Sequence, residues 1–413
     1  MAATHGFSQI SAQNSSQGSV TIKSLFDRLA QGTGPRALAA GRAYSCRCGR
    51  PVFFRNSICL ACNTPLGYEA NLRRVFPLTP GPEEDTWQLD DACAAPGTAG
   101  RTYRRCANLD SAAGCNWLVS EEEMTANPRH VCTACRLNRT IPDLSTPENG
   151  VLWGRLEGAK RRLVSLLLAL DLPVASRVDQ DPQHGLAFDF LHSPPGGPRT
   201  LTGHVNGVIT VNIEEADHST RERIRENMGE PYRTLLGHLR HEAGHYYWDR
   251  LIVGSAWLDP FRKLFGDERQ DYMAALQSNY ERGPAPGWEQ RHVSAYASAH
   301  PWEDWAETWA HYLHMVDLLD TALSFGLDTR ELELEIEPFS RDALFQPNDP
   351  GATRFLSFLN AWIELTAVLN ELSRSMGNMD LYPFALPRPA VAKLHFIHLV
   401  IAQNAASGNQ TRS

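Results

Sequence analysis

The chain has 413 residues, of which 42% are hydrophobic and 21% charged, and this composition is typical of a globular protein with two or three domains. No uninterrupted apolar run approaches the roughly 18 residues that a membrane-spanning helix needs. The N-terminal residues also lack the basic and apolar regions of a secretory signal. These features argue against a membrane or exported protein, and we expect a cytoplasmic one.

The net charge of −8 is distributed unevenly along the chain. Residues 1–145 contain 15 Lys and Arg against 12 Asp and Glu, a net charge of +3, so the remaining residues carry −11. An acidic surface repels phosphates, which supply most of the affinity for nucleic acids. A nucleic-acid groove is therefore not expected in the C-terminal two-thirds.

Residues 1–42 are rich in Ser, Gln, Gly and Ala, which predicts a flexible N-terminal segment. The region that follows contains all nine cysteines, from Cys46 to Cys135. In a chain without an export signal, such clustering indicates metal binding rather than disulfides.

The first cysteine set consists of Cys46, Cys48, Cys59 and Cys62, with a β-rich segment between the two pairs. This layout is typical of a zinc ribbon, in which each pair lies on a tight turn and supplies two thiolates to one Zn²⁺. The first pair is C-x-C rather than C-x2-C, which weakens the assignment of Cys46 as a ligand.

The second cysteine set consists of Cys106, Cys115, Cys132 and Cys135, and Cys93 is left over as a small buried or surface thiol. We predict a zinc-ribbon domain over residues 43–143 with two four-cysteine sites. A site closed by four protein ligands has no open coordination position, so these sites would stabilise the fold or recruit a partner.

The rest of the chain predicts one helix, a few strands and then further helices. Thr146 and Pro147 are typical of a helix start, and two strand-like segments follow, the second with a hairpin turn at Asn206-Gly207. From about Pro231 onward nearly every segment has a helical pattern. We therefore predict an α+β fold, with a zincin-type catalytic domain of a small antiparallel sheet and mostly helices over residues 144–405, and a flexible tail at 406–413.

The segment "LLGHLRHEAGHYYWDRL", residues 235–251, contains a His-Glu-x-x-His motif. On a helix, His241 and His245 lie one turn apart on one face and can bind one Zn²⁺. Zinc lowers the pKa of a bound water to about 7, and Glu242 can accept its proton. His238 shares this face, and we interpret it as a helix-surface histidine rather than a ligand.

A third ligand is needed, and the segment "SAYASAHPWEDWAETWAHYLH" offers one. Pro301 predicts a helix start, and Glu303 and Glu307 follow one turn apart. An acid in the first turn of a helix is favoured by the helix dipole alone. In the functional interpretation Glu303 binds zinc, and Glu307 accepts a hydrogen bond from the free ring nitrogen of a ligand histidine. The rival ligands are Asp267, Glu268 and Asp271.

The strings "HEAGH" and "EDWAE" together resemble the gluzincin peptidases, in particular the lethal-factor-like arrangement. That resemblance implies that Glu303, the first Glu of the second string, is the zinc ligand. These enzymes also place a Tyr seven residues before that Glu, and Tyr296 stands there. By this resemblance Tyr296 would hydrogen-bond the oxyanion of the tetrahedral intermediate.

From about Cys46 to the C-terminus, the chain resembles the Peptidase Mx group of zinc-binding metallopeptidases, which carry an N-terminal zinc ribbon. The strings that carry this resemblance include "CRLNRTIPDLS", "HLRHEAGHYYWDRL", "FGDERQDY" and "YPFALPRPAVAKLHFIH". The resemblance implies a metallopeptidase fold and does not name a substrate.

We therefore predict a zinc-dependent metallopeptidase that hydrolyses peptide bonds through a zinc-bound water activated by Glu242. It would use one catalytic and up to two structural Zn²⁺ ions. Its partners would be a peptide or protein substrate, paired with the strand at residues 207–213 by β-augmentation, and a protein bound by the ribbons. One alternative is a catalytically silent zincin scaffold whose ribbons bind a protein or nucleic acid. Another is a non-peptide amide substrate.

Overall fold

The computed structural model describes residues 42–410, except 91–97, 99, 128, 195, 198, 229–233, 330–331 and 333. The predicted N-terminal segment, apart from its last residue Arg42, therefore lies outside the described residues, as does Cys93. Among the helices in the described part of the chain, none has the length and apolar character needed to cross a membrane.

The cysteine-rich region is built from short strands. A two-stranded hairpin comes first, formed by β1 (Tyr44–Ser45) and β2 (Pro51–Val52). A five-stranded antiparallel sheet follows, with its strands in sequence order and a short helix α1 (Glu121–Ala126) after the last strand. Its strands are β3 (Leu66–Glu69), β4 (Arg74–Pro80), β5 (Trp87–Leu89), β6 (Tyr103–Arg105) and β7 (Leu118–Ser120).

One face of this sheet joins the main core of the protein. Tyr68 on β3 pairs with Trp117, just before β7, and their rings lie 4.7 Å apart. The ring of Phe54 packs edge-on against Tyr68 at 4.8 Å. These buried aromatic residues belong to the same apolar cluster as Trp153 and the helices that follow, so the ribbon region packs directly on the rest of the chain.

The second sheet has the strand order β10-β11-β9-β8. Its strands are β8 (Asn138–Thr140), β9 (Ala187–Leu191), β10 (Gly203–Val205) and β11 (Val208–Asn212). The α+β class is confirmed, but this sheet is mixed: β8 and β11 both run parallel to β9, and only β10 and β11 are antiparallel. Parallel strands need a long crossover, and a 23-residue helix, α2 (Pro147–Ala169), lies between β8 and β9.

The domain boundary predicted at residue 143 separates two strands, β8 and β9, that pair in one sheet. Strand β8 follows the last cysteine closely, yet it pairs with β9 of the second sheet.

The hairpin predicted at Asn206-Gly207 is confirmed, with φ of 48° and 80° at the two residues. Two positive φ values are what a type I′ turn requires.

The remaining elements are helices. They are α3 (His218–Met228), α4 (Leu235–Leu251), α5 (Leu258–Phe265), α6 (Tyr272–Arg282), α7 (Pro301–Ser324), α8 (Ala352–Ser375) and α9 (Arg388–Gln410). Pro147 and Pro301 are each the first residue of a helix, as predicted. Helix α9 continues to Gln410, into the segment predicted to be a flexible tail, and residues 411–413 lie outside the described residues.

Helices α4 and α7 cross closely, and this crossing positions the residues of the motif. A Cβ added at Gly244 would lie 2.9 Å from the Cα atom of Ala306, so only glycine permits this approach. The indole N–H of Trp305 donates to the carbonyl oxygen of Gly244 at 2.8 Å. Trp305 and Trp309 are fully buried, so this face of α7 packs in the core.

Candidate metal centre

Helices α4 and α7 bring three predicted ligands together. The Nε2 atoms of His241 and His245, one turn apart on α4, lie 3.2 Å from each other. Glu303, in the first turn of α7, places Oε2 at 3.0 Å from Nε2 of His241 and Oε1 at 3.5 Å from Nε2 of His245. One ligand atom from each residue therefore lies within 4.8 Å of the others.

The spacing of these atoms fits a zinc ion. Zinc binds imidazole nitrogen and carboxylate oxygen at about 2.0–2.2 Å, so two ligands of one tetrahedral ion lie about 3.3 Å apart. Oε2 of Glu303 is buried and accepts no hydrogen bond from any residue that the structure describes. A buried carboxylate oxygen that lacks a donor and faces an imidazole nitrogen indicates a site built for a cation.

Glu307 lies one turn after Glu303 and orients His241. Its Oε1 lies 2.7 Å from Nδ1 of His241, and its Oε2 accepts a hydrogen bond of 2.6 Å from the Ser294 hydroxyl. Burial would raise the pKa of Glu307, but His241 and Ser294 contribute to lowering it to about 2. An ionised Glu307 keeps the proton of His241 on Nδ1, which leaves Nε2 free to bind a metal.

Glu242 is buried beside the predicted ligands and contacts His238. Nε2 of His238 lies 3.2 Å from Oε1 of Glu242, and Nδ1 of His238 lies 2.7 Å from Oε2 of Glu215. The interpretation of His238 as a helix-surface histidine is wrong, since its side chain is only 19% exposed and lies between two carboxylates. Glu215 comes from the turn after β11, which helical spacing on α4 cannot reveal.

Two tyrosines approach the predicted ligands. The ring of Tyr296 lies 6.0 Å from the ring of His241. Burial and the Glu303 carboxylate raise the pKa of Tyr296 well above its usual value, so its hydroxyl keeps its proton and can donate a hydrogen bond. Tyr272, which the sequence analysis missed, donates a hydrogen bond of 2.6 Å to Oε1 of Glu303.

Each cysteine set of the ribbon region forms a cluster. In the first set, the Sγ atoms of Cys46 and Cys62 lie 3.6 Å apart, and those of Cys48 and Cys59 lie 3.8 Å apart. A tetrahedral zinc with Zn–S bonds of about 2.3 Å holds its sulfur atoms about 3.8 Å apart. The C-x-C pair therefore fits the first cluster, Cys46 included.

The second cluster is more deeply buried. The Sγ atoms of Cys115 and Cys132 lie 3.6 Å apart, and the amide of Cys132 donates to Sγ of Cys106 at 3.3 Å. All four cysteines of this set, including Cys135, are buried. In the first set, Cys48 and Cys62 are exposed. The described residues thus contain two groups of four thiols and one group of two imidazoles and a carboxylate.

Comparison with known proteins places the chain in a family. The profile of a family described as "Putative zinc-binding metallo-peptidase" (Peptidase Mx) matches residues 149–400, more than half of the chain. The chain belongs to this metallo-peptidase family. A zinc-ribbon profile matches residues 43–146, which contain both cysteine clusters.

Relatives of this chain occur in mycobacteria. A protein of Mycobacterium tuberculosis and one of Mycobacterium bovis are each 42% identical to the chain over 362 residues, which cover 87% of this chain and 95% of the relative. Both carry the name "uncharacterized protein". No solved structure matches the chain significantly.

The rival ligands that the sequence offered are engaged elsewhere. Glu268 pairs with Arg262 at 2.5 Å, and Asp267 pairs with Arg269 at 2.8 Å. Asp271 caps α6 by accepting a hydrogen bond from the amide of Ala274 at 3.0 Å. In the segment "FGDERQDY", the residue that contacts a predicted zinc ligand is therefore the last one, Tyr272, which donates to Glu303, and not one of the three acids.

Proposed function

We propose that this protein is a zinc-dependent peptidase of the gluzincin type, with zinc held by His241, His245 and Glu303 and with Glu242 as the general base. The observation that carries the proposal is the convergence of two imidazole nitrogens and a carboxylate from two packed helices. The buried Glu242 carboxylate lies next to these groups in the motif helix. Two further Zn²⁺ ions in the cysteine clusters would be structural.

The residues around this group suit the chemistry of amide hydrolysis. Zinc, when bound, supplies Lewis-acid activation at this position. Glu242 takes a proton from the attacking water and later transfers it to the leaving amine. The protonated hydroxyl of Tyr296 donates a hydrogen bond to the carbonyl oxygen of the substrate as negative charge develops on it. Glu307 holds the orientation of His241 throughout.

The predicted substrate strand requires a correction. Strand β11 is paired on both sides, with β10 and with β9, so the prediction that residues 207–213 bind the substrate is wrong. Among the described strands, the one at the edge of the sheet on this side is β10 (Gly203–Val205). An extended peptide would add to that edge through main-chain hydrogen bonds, next to α4 and its motif.

The test is peptide cleavage with a Glu242→Gln variant. A peptide library is incubated with the wild type, with Glu242→Gln and with Glu214→Gln as a matched control, and zinc content is measured for each. Glu214 lies in the turn before α3, and its carboxylate accepts from the amide of Ser193. We expect cleavage by the wild type and the control, loss of cleavage in Glu242→Gln at unchanged zinc content, and loss of cleavage with a chelator. Equal cleavage by Glu242→Gln would refute the mechanism.

A further inference from the structure

We propose that His238 is a positioning residue for Glu242, and that Glu215 in turn holds His238. This inference rests on the proposed function, because it assigns to His238 the task of aiming the general base. Contacts between Thr202, Glu215, His238 and Glu242 lead from the small sheet to the motif helix.

The first link is the contact between His238 and Glu242. These residues are four apart on α4, so their side chains lie on one face of the helix. Nε2 of His238 is 3.2 Å from Oε1 of Glu242. A carboxylate held at one oxygen is restricted in rotation, and its second oxygen then has a fixed direction for accepting the proton.

The second link requires both ring nitrogens of His238 to donate. Both of its partners are carboxylates, which only accept hydrogen bonds when ionised. A neutral imidazole would turn a lone pair toward one of them, so the charged imidazolium fits both contacts. Burial would lower the pKa of His238, but the neighbouring Glu215 and Glu242 raise it to about 9.

The third link anchors Glu215 to the sheet. Its Oε1 accepts a hydrogen bond of 2.7 Å from the hydroxyl of Thr202, and that hydroxyl accepts from the amide of Asn212 at 3.0 Å. The backbone carbonyl of Glu215 accepts from Arg221 at 2.9 Å. Both carboxylate oxygens of Glu215 are therefore bound, one by Thr202 and one by His238.

This arrangement makes a specific prediction about kinetics. Loss of the His238 contact frees the Glu242 carboxylate to rotate while the zinc ligands and the substrate edge stay in place. Removal of such an orienting partner typically costs about 10–100-fold in activity. We therefore expect kcat to fall by that factor in His238→Leu, with KM and zinc content little changed. His238→Gln, which keeps an N–H donor, should recover part of the loss.

The experiment compares His238→Leu, His238→Gln and Glu215→Gln with the wild type, and Glu214→Gln is the control from the same turn. The first measurement is kcat and KM on a peptide that the wild type cleaves. The second, independent of turnover, is the dissociation constant of acetohydroxamic acid on the zinc-loaded protein by calorimetry. A hydroxamate binds zinc and shares a proton with the general base, so its affinity reports how the Glu242 carboxylate is placed.

A double-variant cycle decides between a positioning and a purely structural role. We expect His238→Leu to weaken hydroxamate binding in the wild type but not in a Glu242→Gln background, because the two residues act as a unit. An equal effect in both backgrounds, or no effect in either, would overturn the proposal. If His238→Leu does not fold or loses zinc, Glu215→Gln decides, since it retains the imidazole and weakens only its anchor.

The outcomes separate this inference from the proposed function. Peptide cleavage that depends on Glu242 but not on His238 or Glu215 would sustain the peptidase and refute the positioning role. Coupled hydroxamate binding in a protein that cleaves no peptide would sustain the positioning role and refute the peptidase.

Discussion

The hydroxyl of Tyr272 donates a hydrogen bond of 2.6 Å to Oε1 of Glu303. Tyr272 is the first residue of α6, whereas Glu303 lies in the first turn of α7, so the carboxylate is held by a helix that supplies no predicted ligand. The other oxygen, Oε2, faces Nε2 of His241 at 3.0 Å. The hydrogen bond therefore fixes the rotation of the carboxylate that directs Oε2 at His241.

Replacement of Tyr272 by Phe should weaken zinc binding at this group. The ring remains, but the carboxylate of Glu303 loses the donor that fixes its rotation, and we expect a loss of zinc affinity of about 10–100-fold. The measurement is competition with a chromogenic chelator for the zinc bound by His241, His245 and Glu303. Tyr246→Phe is the control, because the Tyr246 hydroxyl donates to the carbonyl of His184 instead. Equal zinc affinity of Tyr272→Phe and the wild type would contradict this role.

Glu307→Gln should also lower zinc affinity, through His241. A neutral amide is a weaker acceptor for the Nδ1 proton than the carboxylate that now lies 2.7 Å away. We expect zinc affinity to fall by about 10–100-fold and cleavage to recover when zinc is supplied at saturating concentration. Ser294→Ala, which removes a donor to the other oxygen of Glu307, should show a smaller loss. If saturating zinc does not restore cleavage, Glu307 acts in some other way than through metal affinity.

The local parts of the site could be predicted from the sequence, because helix geometry fixes them. Residues four apart on a helix share a face, which gave the pairs His241 with His245 and Glu303 with Glu307. Pro301 marked the start of α7, and Asn206-Gly207 marked the hairpin. Each of these signals lies within one element or one turn.

Contacts between distant elements could not be predicted in this way. Tyr272 and Glu303 are 31 residues apart, and Glu215 and His238 are 23 apart, without a period that links them. The pairing of β8 with β9 was also missed. Strand β8 has only three residues, which are too few to show an alternating strand pattern. Such contacts depend on the tertiary arrangement of helices and strands.

The crossing of α4 and α7 predicts that Gly244→Ala is destabilising. The added methyl group would lie 2.9 Å from the Cα atom and 3.3 Å from the carbonyl oxygen of Ala306. These are backbone atoms of α7, which cannot move away by a side-chain rotation. We expect a loss of about 1–3 kcal/mol in the free energy of unfolding. Zinc affinity should fall as well, since the predicted ligands lie on both helices.

Gly158→Ala is the matched control, measured in the same urea denaturation experiments. Gly158 lies inside helix α2, and a Cβ added there would meet no described atom within 4 Å outside the nearby backbone of its own helix. Alanine is favoured over glycine in a helix by about 0.5–1 kcal/mol, so this variant should be neutral or more stable. Equal destabilisation of both variants would show that the close approach at Gly244 does not limit the packing.

The two cysteine clusters should lose zinc at different rates. Cys48 and Cys62 are exposed, whereas every cysteine of the second cluster is buried, so a chelator reaches the first cluster more easily. We expect the time course of zinc release from a His241→Ala variant, which removes a ligand of the third group, to show a fast and a slow phase, with the fast phase absent when Cys62→Ser is added. Cys132→Ser should lower the melting temperature more than Cys62→Ser, because the second cluster packs against α2 near Glu157. A single phase in the His241→Ala variant would contradict the difference in access.

Asp317 on α7 joins three arginines from separate parts of the chain. Its carboxylate pairs with Arg42 at 3.0 Å, with Arg162 at 2.8 Å and with Arg240 of the motif helix at 2.6 Å. Burial would raise the pKa of Asp317, but the three guanidinium groups hold it far below its usual value. The pairs therefore stabilise the fold at neutral pH and link Arg42, just before the ribbon region, and α2 to the motif helix.

Asp317→Asn should destabilise the protein by about 3–5 kcal/mol at neutral pH, because it leaves buried arginine charge without its partner. Since the pKa of Asp317 is lower in the folded than in the unfolded state, its contribution is present above the unfolded value of about 3.9 and is lost as the pH falls below it. The difference in unfolding free energy between wild type and variant should thus be constant above about pH 5 and narrow in acid. Asp342→Asn, which breaks an exposed pair with Arg388, should cost less than about 1 kcal/mol. Urea denaturation across this pH range measures both, and a difference that widens toward low pH would contradict the assignment.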